Sequence, residues 1–256
     1  MKKTIIIVLV VLAVLLLGVR SLLLSTVPDN APAVNVPVET AAASEQPAAQ
    51  PDEVVLAQGK TVAWAEAYAA VKTVKDMNGG VWGNVMIEIL NTGDTNISVA
   101  SAHYDVDDPD GKLIHSNDVI AYPAVIEPGK SGYIYDEIIL LDDSTDYVLI
   151  PKYDVVEYVG DAVWLDASDF RGETRFEGSF NFLGHIVNNT GADANGTMVA
   201  VVIFGDDGHP FAVYSDYSWD CLKAGEQIGF DFGGDTWITG LKWEDVPKYA
   251  VYAYEY

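Results

Sequence analysis

A six-residue stretch near the middle of the chain recurs near its end, and that recurrence constrains the fold more than any other feature. "IPKYDV" (Ile150 to Val155) returns as "VPKYAV" (Val246 to Val251), an offset of 96 residues. "EPGK" at Glu127 to Lys130 answers "KAGE" at Lys223 to Glu226, again at 96. Asp110-Gly111 returns as Asp207-Gly208, Val99-Ala100 as Val199-Ala200, and Thr92-Gly93 as Thr190-Gly191, with offsets from 97 to 100. Five landmarks kept in one order imply a duplicated unit of roughly 95 residues, the size of a β-sandwich module. The expected boundaries are 60–158 and 159–256.

Periodicity makes both units β. In "FEGSFNFLGHIV", Phe176, Phe180, Phe182 and Ile186 fall on one face and Glu177, Ser179, Asn181 and His185 on the other. That is the two-residue repeat of a half-buried strand. Val85, Ile87 and Ile89 alternate in the same way in the first unit. Turn signals separate such runs: "NTGD", "DPDG" and "EPGK" in the first unit, "NNTG", "DDG" and "KAGE" in the second. Only "WAEAYAAVKT" (Trp64 to Thr73) is ambiguous between helix and strand, because of its alanines. The expected fold class is all-β, with two packed antiparallel sheets per unit. The short connection "YVGDAVWLDASDFRG" predicts two units arranged as an elongated rod, each able to fold alone.

The asparagine-glycine turns "LNTGD" and "VNNTG", the strands ending "SAHYD" and "VVIFG", the Asp-Gly hairpins and the "PG" or "AG" turn resemble tandem FxLYD-type, immunoglobulin-like modules of bacterial surface proteins. The resemblance covers nearly everything after Gly59. In the name-giving stretch only Tyr104-Asp105 matches literally. It implies a non-catalytic extracytoplasmic module and names no ligand.

The N-terminus sets an expected address. "MKKTIIIVLVVLAVLLLGVRSLLLSTVP" has two lysines, an apolar run from Ile5 to Val19, then Arg20 and a second apolar cluster. Two readings compete. A secretory signal would be cut near Val19-Arg20-Ser21, where the small-residue pattern is poor. An uncleaved anchor, favoured here, would use Thr4 to Val27, 24 residues, to span about 30 Å of hydrocarbon. Lys2 and Lys3 hold the N-terminus inside, so both readings export the rest. Residues 28–59 hold five of the eleven prolines and no aromatic, Lys or Arg, and read as a disordered linker.

Charge removes one class of partner. The chain carries 38 acidic and 14 basic side chains, a formal charge of −24, and has no basic cluster that could track a phosphate backbone. The expected partners are the membrane, through the N-terminal helix, and an extracellular protein or envelope component.

The acidic stretch "HYDVDDPDGKLI" from His103 invites a calcium reading through Asp105, Asp107, Asp108 and Asp110. A helix-loop-helix calcium loop counted from Asp105 needs an oxygen ligand at its fifth position, glycine at its sixth and a carboxylate at its twelfth. The chain has Pro109, Asp110 and Ser116 there. A hairpin turn is the preferred reading, with a looser calcium site as the alternative. No cofactor is expected otherwise. G-x-S-x-G, H-E-x-x-H, P-loop and G-x-G-x-x-G patterns do not occur, and the four histidines have no second ligand at zinc spacing. No enzymatic activity is expected. The lone cysteine, Cys221, reads as a small buried hydrophobe. "VYSDYSWD" and "YAVYAYEY" are the aromatic-rich stretches, and Tyr217 with Trp219 is the candidate recognition surface. Sequons begin at Asn96, Asn188 and Asn195.

Overall fold

The computed structural model describes residues 52–55 and 60–256, apart from 77, 141, 145, 177 and 237–240. The anchor expected over 1–27 and most of the linker expected over 28–59 lie outside the described residues. No helix among the described residues is long and apolar enough to cross a membrane. The fold is all-β, with antiparallel pairing throughout and one short 3-10 turn, Trp243–Asp245.

The first half contains β1 (Asp52–Val55), β2 (Thr61–Lys75), β3 (Val81–Asn91), β4 (Ile97–Asp107), β5 (Leu113–Val119), β6 (Val125–Ile126), β7 (Ser131–Ile139) and β8 (Val148–Glu157). The second contains β9 (Trp164–Phe176), β10 (Ser179–Val187), β11 (Ala194–Phe204), β12 (Pro210–Leu222), β13 (Gln227–Asp235) and β14 (Lys248–Glu255). In the first half β2-β3-β7 pair in one sheet and β5-β4-β8 in another. In the second, β9-β10-β13 and β12-β11-β14 repeat the same two pairings. The duplicated landmarks therefore mark duplicated topology. One connection differs. Trp164 and Leu165 at the start of β9 pair with β14, and from Asp166 onward β9 pairs with β10, so one strand serves both sheets.

Two details depart from the sequence reading. The ambiguous alanine-rich segment is strand throughout, within β2. Asp52–Val55, expected to be linker, pairs with β2 as an edge strand, for which the Val-Val of "DEVV" supplies β propensity.

Each half has its own core. Val62, Ile87 and Ile89 of one sheet meet Ile97 and Ala102 of the other in the first half. Phe180, Phe182 and Ile186 meet Val199, Val201 and Ile203 in the second. Tyr104 is fully buried and donates to Asp136 Oδ2 at 2.5 Å. Burial and that carboxylate push its hydroxyl well above the ordinary tyrosine range, so it stays a neutral donor.

The same buried asparagine ties the turns together in both halves. Asn91 Nδ2 donates to the carbonyls of Thr95 and Ile126 at 2.7 and 2.8 Å, and its Oδ1 accepts from Gly93 N. Asn188 Nδ2 donates to Ala192 and Leu222 at 2.8 Å each, and its Oδ1 accepts from Thr190 N and Oγ1. The backbone carbonyls of the two asparagines accept from Gly129 and Gly225, the glycines of the "PG" and "AG" turns. Both glycines sit at positive φ, which explains why the turn dipeptide recurs. Asn188 is fully buried with its amide engaged twice, so its sequon is closed to modification in the folded protein.

The rod expectation gives way to face-to-face packing. Met86 and Tyr133, on the outer face of the β2-β3-β7 sheet, form one apolar layer with Val202, Phe204 and Val213 on the outer face of β12-β11-β14. Tyr133 packs edge-on to Phe204 at 5.8 Å, Tyr68 stacks on His209 at 4.3 Å, and Trp164 Nε1 donates to Glu127 Oε1 at 2.8 Å. β11 is consequently buried on both faces from Gly196 to Phe204.

Candidate functional site

The four candidate calcium aspartates have separate jobs. Asp108 closes the hairpin turn: its Oδ1 accepts from Asp110 N at 3.0 Å and Lys112 N at 2.9 Å, while its carbonyl accepts from Gly111 N. Asp110 is exposed, and Asp107 continues the β4 ladder opposite Leu113. Asp105 lies on the outer face of β4 and is met by Lys152 Nζ at 2.8 Å, Ser116 Oγ at 2.7 Å and His103 Nε2 at 3.2 Å. Lys152, then Ser116, then His103 hold its carboxyl down at about 2. Among the described residues no group of three or more His, Cys, Asp or Glu converges as a metal set.

The strand register assembles a cluster that the linear sequence does not display. His103 Nδ1 lies 2.8 Å from Asp118 Oδ1, and His103 Nε2 lies 3.0 Å from Ser116 Oγ. Those are the distances of a nucleophilic triad, and the surroundings argue for a different role. Asp105 accepts the Ser116 proton and also faces Nε2, so both ring nitrogens of His103 are set to donate to carboxylates. Asp118 is 92% exposed and the face is an open sheet surface, so nothing excludes water from the cluster. The arrangement favours an imidazolium held between β4 and β5, and Asp118, followed by Asp105, raises the pKa of His103. A usable signal was present in the sequence. The Asp-Gly turn fixes the hairpin register, which places Ser116 opposite Asp105 and Asp118 opposite His103.

This cluster has a pH signature. A histidine whose folded pKa is raised contributes stability that is complete below its unfolded pKa and is lost as pH rises through the folded value. The His103 contribution should fade as pH is raised above the ordinary histidine range. Denaturant midpoints measured from pH 5.5 to 8.5 should show a decline in the natural protein that is smaller in His103→Gln, and identical slopes would contradict the staple.

The aromatic candidates divide by position. Tyr252 and Tyr254 share a face of β14 with Tyr256, and the first two are covered: Tyr252 packs beside Tyr133 at 6.2 Å and Tyr254 edge-on to Trp164 at 5.9 Å. Tyr217, Trp219 and Tyr256 remain open, with 55%, 72% and 57% of their surfaces exposed. Tyr217 and Trp219 meet edge-to-face at 5.1 Å, and Trp219 and Tyr256 at 5.7 Å, each pair inclined by 70°.

Local sequence builds that patch. Opposite Asn195 and Thr197, β12 carries one residue more than β11, a bulge that falls at Trp219-Asp220. β11 answers with Gly196 at φ +92°, whose carbonyl accepts from Tyr256 N. With no side chain on the central strand there, rings from β12 and from the end of β14 meet across it. The sequence reading named Tyr217 and Trp219 and missed Tyr256 as their neighbour, because the contact runs through a glycine on a third strand. Cys221, expected to be buried, is exposed near the end of the same edge strand, on the outward side that it shares by alternation with Val213, Tyr217 and Trp219, while its neighbour Leu222 enters the core.

No family model matches the chain, and no curated protein matches it. Among solved structures it is similar to Bacteroides uniformis beta-glucuronidase 2 covalently bound to cyclophellitol-6-carboxylate aziridine, at 12% identity and a TM-score of 0.20. That alignment covers 60% of this chain and 21% of the other. A calcium binding mutant of the same enzyme aligns at 12% identity and a TM-score of 0.19, over 64% of this chain and 23% of that one. The chain thus spans less than a quarter of the length of the solved chains it resembles.

Proposed function

We propose that the chain is a non-catalytic, outward-facing interaction protein of a bacterial envelope. In this reading, residues 1–27 anchor it, the stretch that follows spaces it from the membrane, and two immunoglobulin-like β-sandwiches, 60–158 and 159–256, form the exported body. The correspondence of the β2-β3-β7 sheet to β9-β10-β13, and of β5-β4-β8 to β12-β11-β14, supports the module assignment. The observation that carries the functional reading is the patch of Tyr217, Trp219 and Tyr256. Three large rings joined through Trp219, which touches both tyrosines, and still more than half exposed offer binding area at low entropic cost.

The address is tested on the full chain. After a wash at high salt and high pH it should stay in the membrane fraction, because apolar burial is not screened by salt, and protease added to intact cells should remove the β-sheet body. Recovery of a soluble chain starting near Ser21 would replace the anchor with a cleaved signal. For the patch, crosslinking on intact cells should give an adduct that falls at least about tenfold with Trp219→Ala, in line with an aromatic hot spot of ~1.4 kcal/mol or more. An unchanged yield would remove the patch from the proposal.

A further inference from the structure

A cleft opens where the two halves meet, and it is independent of the aromatic patch. We infer that this cleft, at the free edge of β13, binds a zwitterionic amino acid with a basic side chain, its carboxylate on Arg175 and its amino groups toward Asp235 and Glu137.

The cleft, of about 490 Å³, has the size of a small-molecule site and lies at a junction of packed units, where such sites concentrate. β7 of the first half supplies Tyr135 and Glu137, and β9, β12 and β13 of the second supply Arg175, Tyr214 and Asp235. Two consecutive glycines open it. β13 is the edge strand of its sheet, and Gly233 and Gly234 leave it without a side chain on either face. A Cβ at Gly233 would lie 2.9 Å from Arg175 Nη1, and one at Gly234 would collide with the Tyr214 ring. Groups from opposite faces of the strand thereby reach one cleft.

The groups assembled there do not satisfy one another. The side chains of Arg175 and Asp235 line the same cleft, yet neither forms a hydrogen bond or ion pair among the described residues. The Tyr214 hydroxyl is buried without a hydrogen-bond partner. Tyr135 meets it edge-on at 5.9 Å and gives its own proton to Glu137. Burial, then the charge of Glu137, keeps Tyr214 neutral, so it is a donor that lacks an acceptor. A ligand carboxylate supplies that acceptor and pairs with the planar fork of the guanidinium. An ammonium answers Asp235. With Glu137 added, the cleft sets two carboxylates against one guanidinium, which favours a second amino group. The carboxylate of Asp136, the other acid at its wall, is taken by Tyr104 and Asn117. Simpler occupants fit less well. A bare metal ion would face the guanidinium, and no three ligating side chains converge among the described residues, while a plain anion would face both carboxylates.

The test is calorimetric titration of the full chain in detergent micelles with three probes: L-lysine, cadaverine, which lacks the carboxylate, and L-norleucine, which lacks the side-chain amine. Lysine should bind at least about tenfold tighter than either, the scale of one lost charge-assisted contact. Arg175→Ala should erase the advantage over cadaverine, and Glu137→Gln the advantage over norleucine. Asp235→Asn should weaken lysine binding, and Tyr214→Phe should weaken lysine more than cadaverine, since only lysine offers the hydroxyl an acceptor. Unchanged melting without ligand establishes that Arg175→Ala is folded, and the comparison of probes on the natural protein decides the matter even where another variant fails to fold. Cadaverine as tight as lysine would reduce the cleft to an acidic groove for cations and overturn the inference. So would norleucine as tight as lysine, lysine binding indifferent to Arg175, or no lysine binding at about 10 mM, a concentration at which even a weak site fills.

Discussion

Val202→Asp is expected to destabilise the protein by at least about 4 kcal/mol, because it places a carboxylate without a partner in a layer sealed from both sides. Val202 is fully buried among Met86, Tyr133, Phe204 and Val213. The repeat explains why this substitution is informative. At an offset of 97, Val202 is the counterpart of Asp105 and Phe204 of Asp107, and across the hairpin Val213 stands opposite Val202 as Ser116 stands opposite Asp105. One face of one duplicated sheet is thus polar in the first half, where it meets water, and apolar in the second, where it meets the first half. Denaturant midpoints should fall sharply for Val202→Asp. The reverse change, Asp105→Val, should leave the protein folded and lower its solubility, since it adds an apolar group to an open face. Similar losses of stability from both would mean that the two faces are not divided in this way.

Asn188→Ala should cost about 3 kcal/mol, the second large effect. The side chain holds two buried carbonyls with one amide and a turn N–H with its oxygen, and its removal leaves those groups without partners. Alanine cannot donate, and the site is closed to water at the Asn188 position. Asn91→Ala should behave alike, because the same set of bonds is built there. Asn188→Asp distinguishes hydrogen bonding from packing: it keeps the shape and loses both donors, so it should be at least as damaging as alanine. A loss well below 1 kcal/mol in each would mean that these knots are dispensable.

The repeat made the topology legible in advance. Offsets of 96 to 100 between turns became the same strand pairings in both halves, and the two-residue alternation at Phe180, Phe182 and Ile186 became one face of a core. The hairpin within the acidic stretch was also legible, since the Asp-Gly turn sets its register. What the alternation could not give was the face-to-face contact, because an outward face covered by another sheet looks like a second inward one. A trace of it lies in "MVAVVIF", an unbroken apolar run within β11 that marks a strand buried on both sides. The site was half legible. Tyr217 and Trp219 stand two apart on one strand, whereas Tyr256 joins them only across Gly196. Cys221 was expected inside from the general burial of free cysteine, whereas its place in the alternation of β12, next to core Leu222, turns it outward.

Small-angle scattering on the fragment from Asp52 to Tyr256 tests most directly whether the halves share a buried layer. Packed face to face, a chain of that length should give a radius of gyration of about 17 Å, the value for one compact globule. Two sandwiches joined end to end would give a rod-like profile and a radius well above 20 Å, roughly that of two smaller globules held apart, and that result would contradict the account.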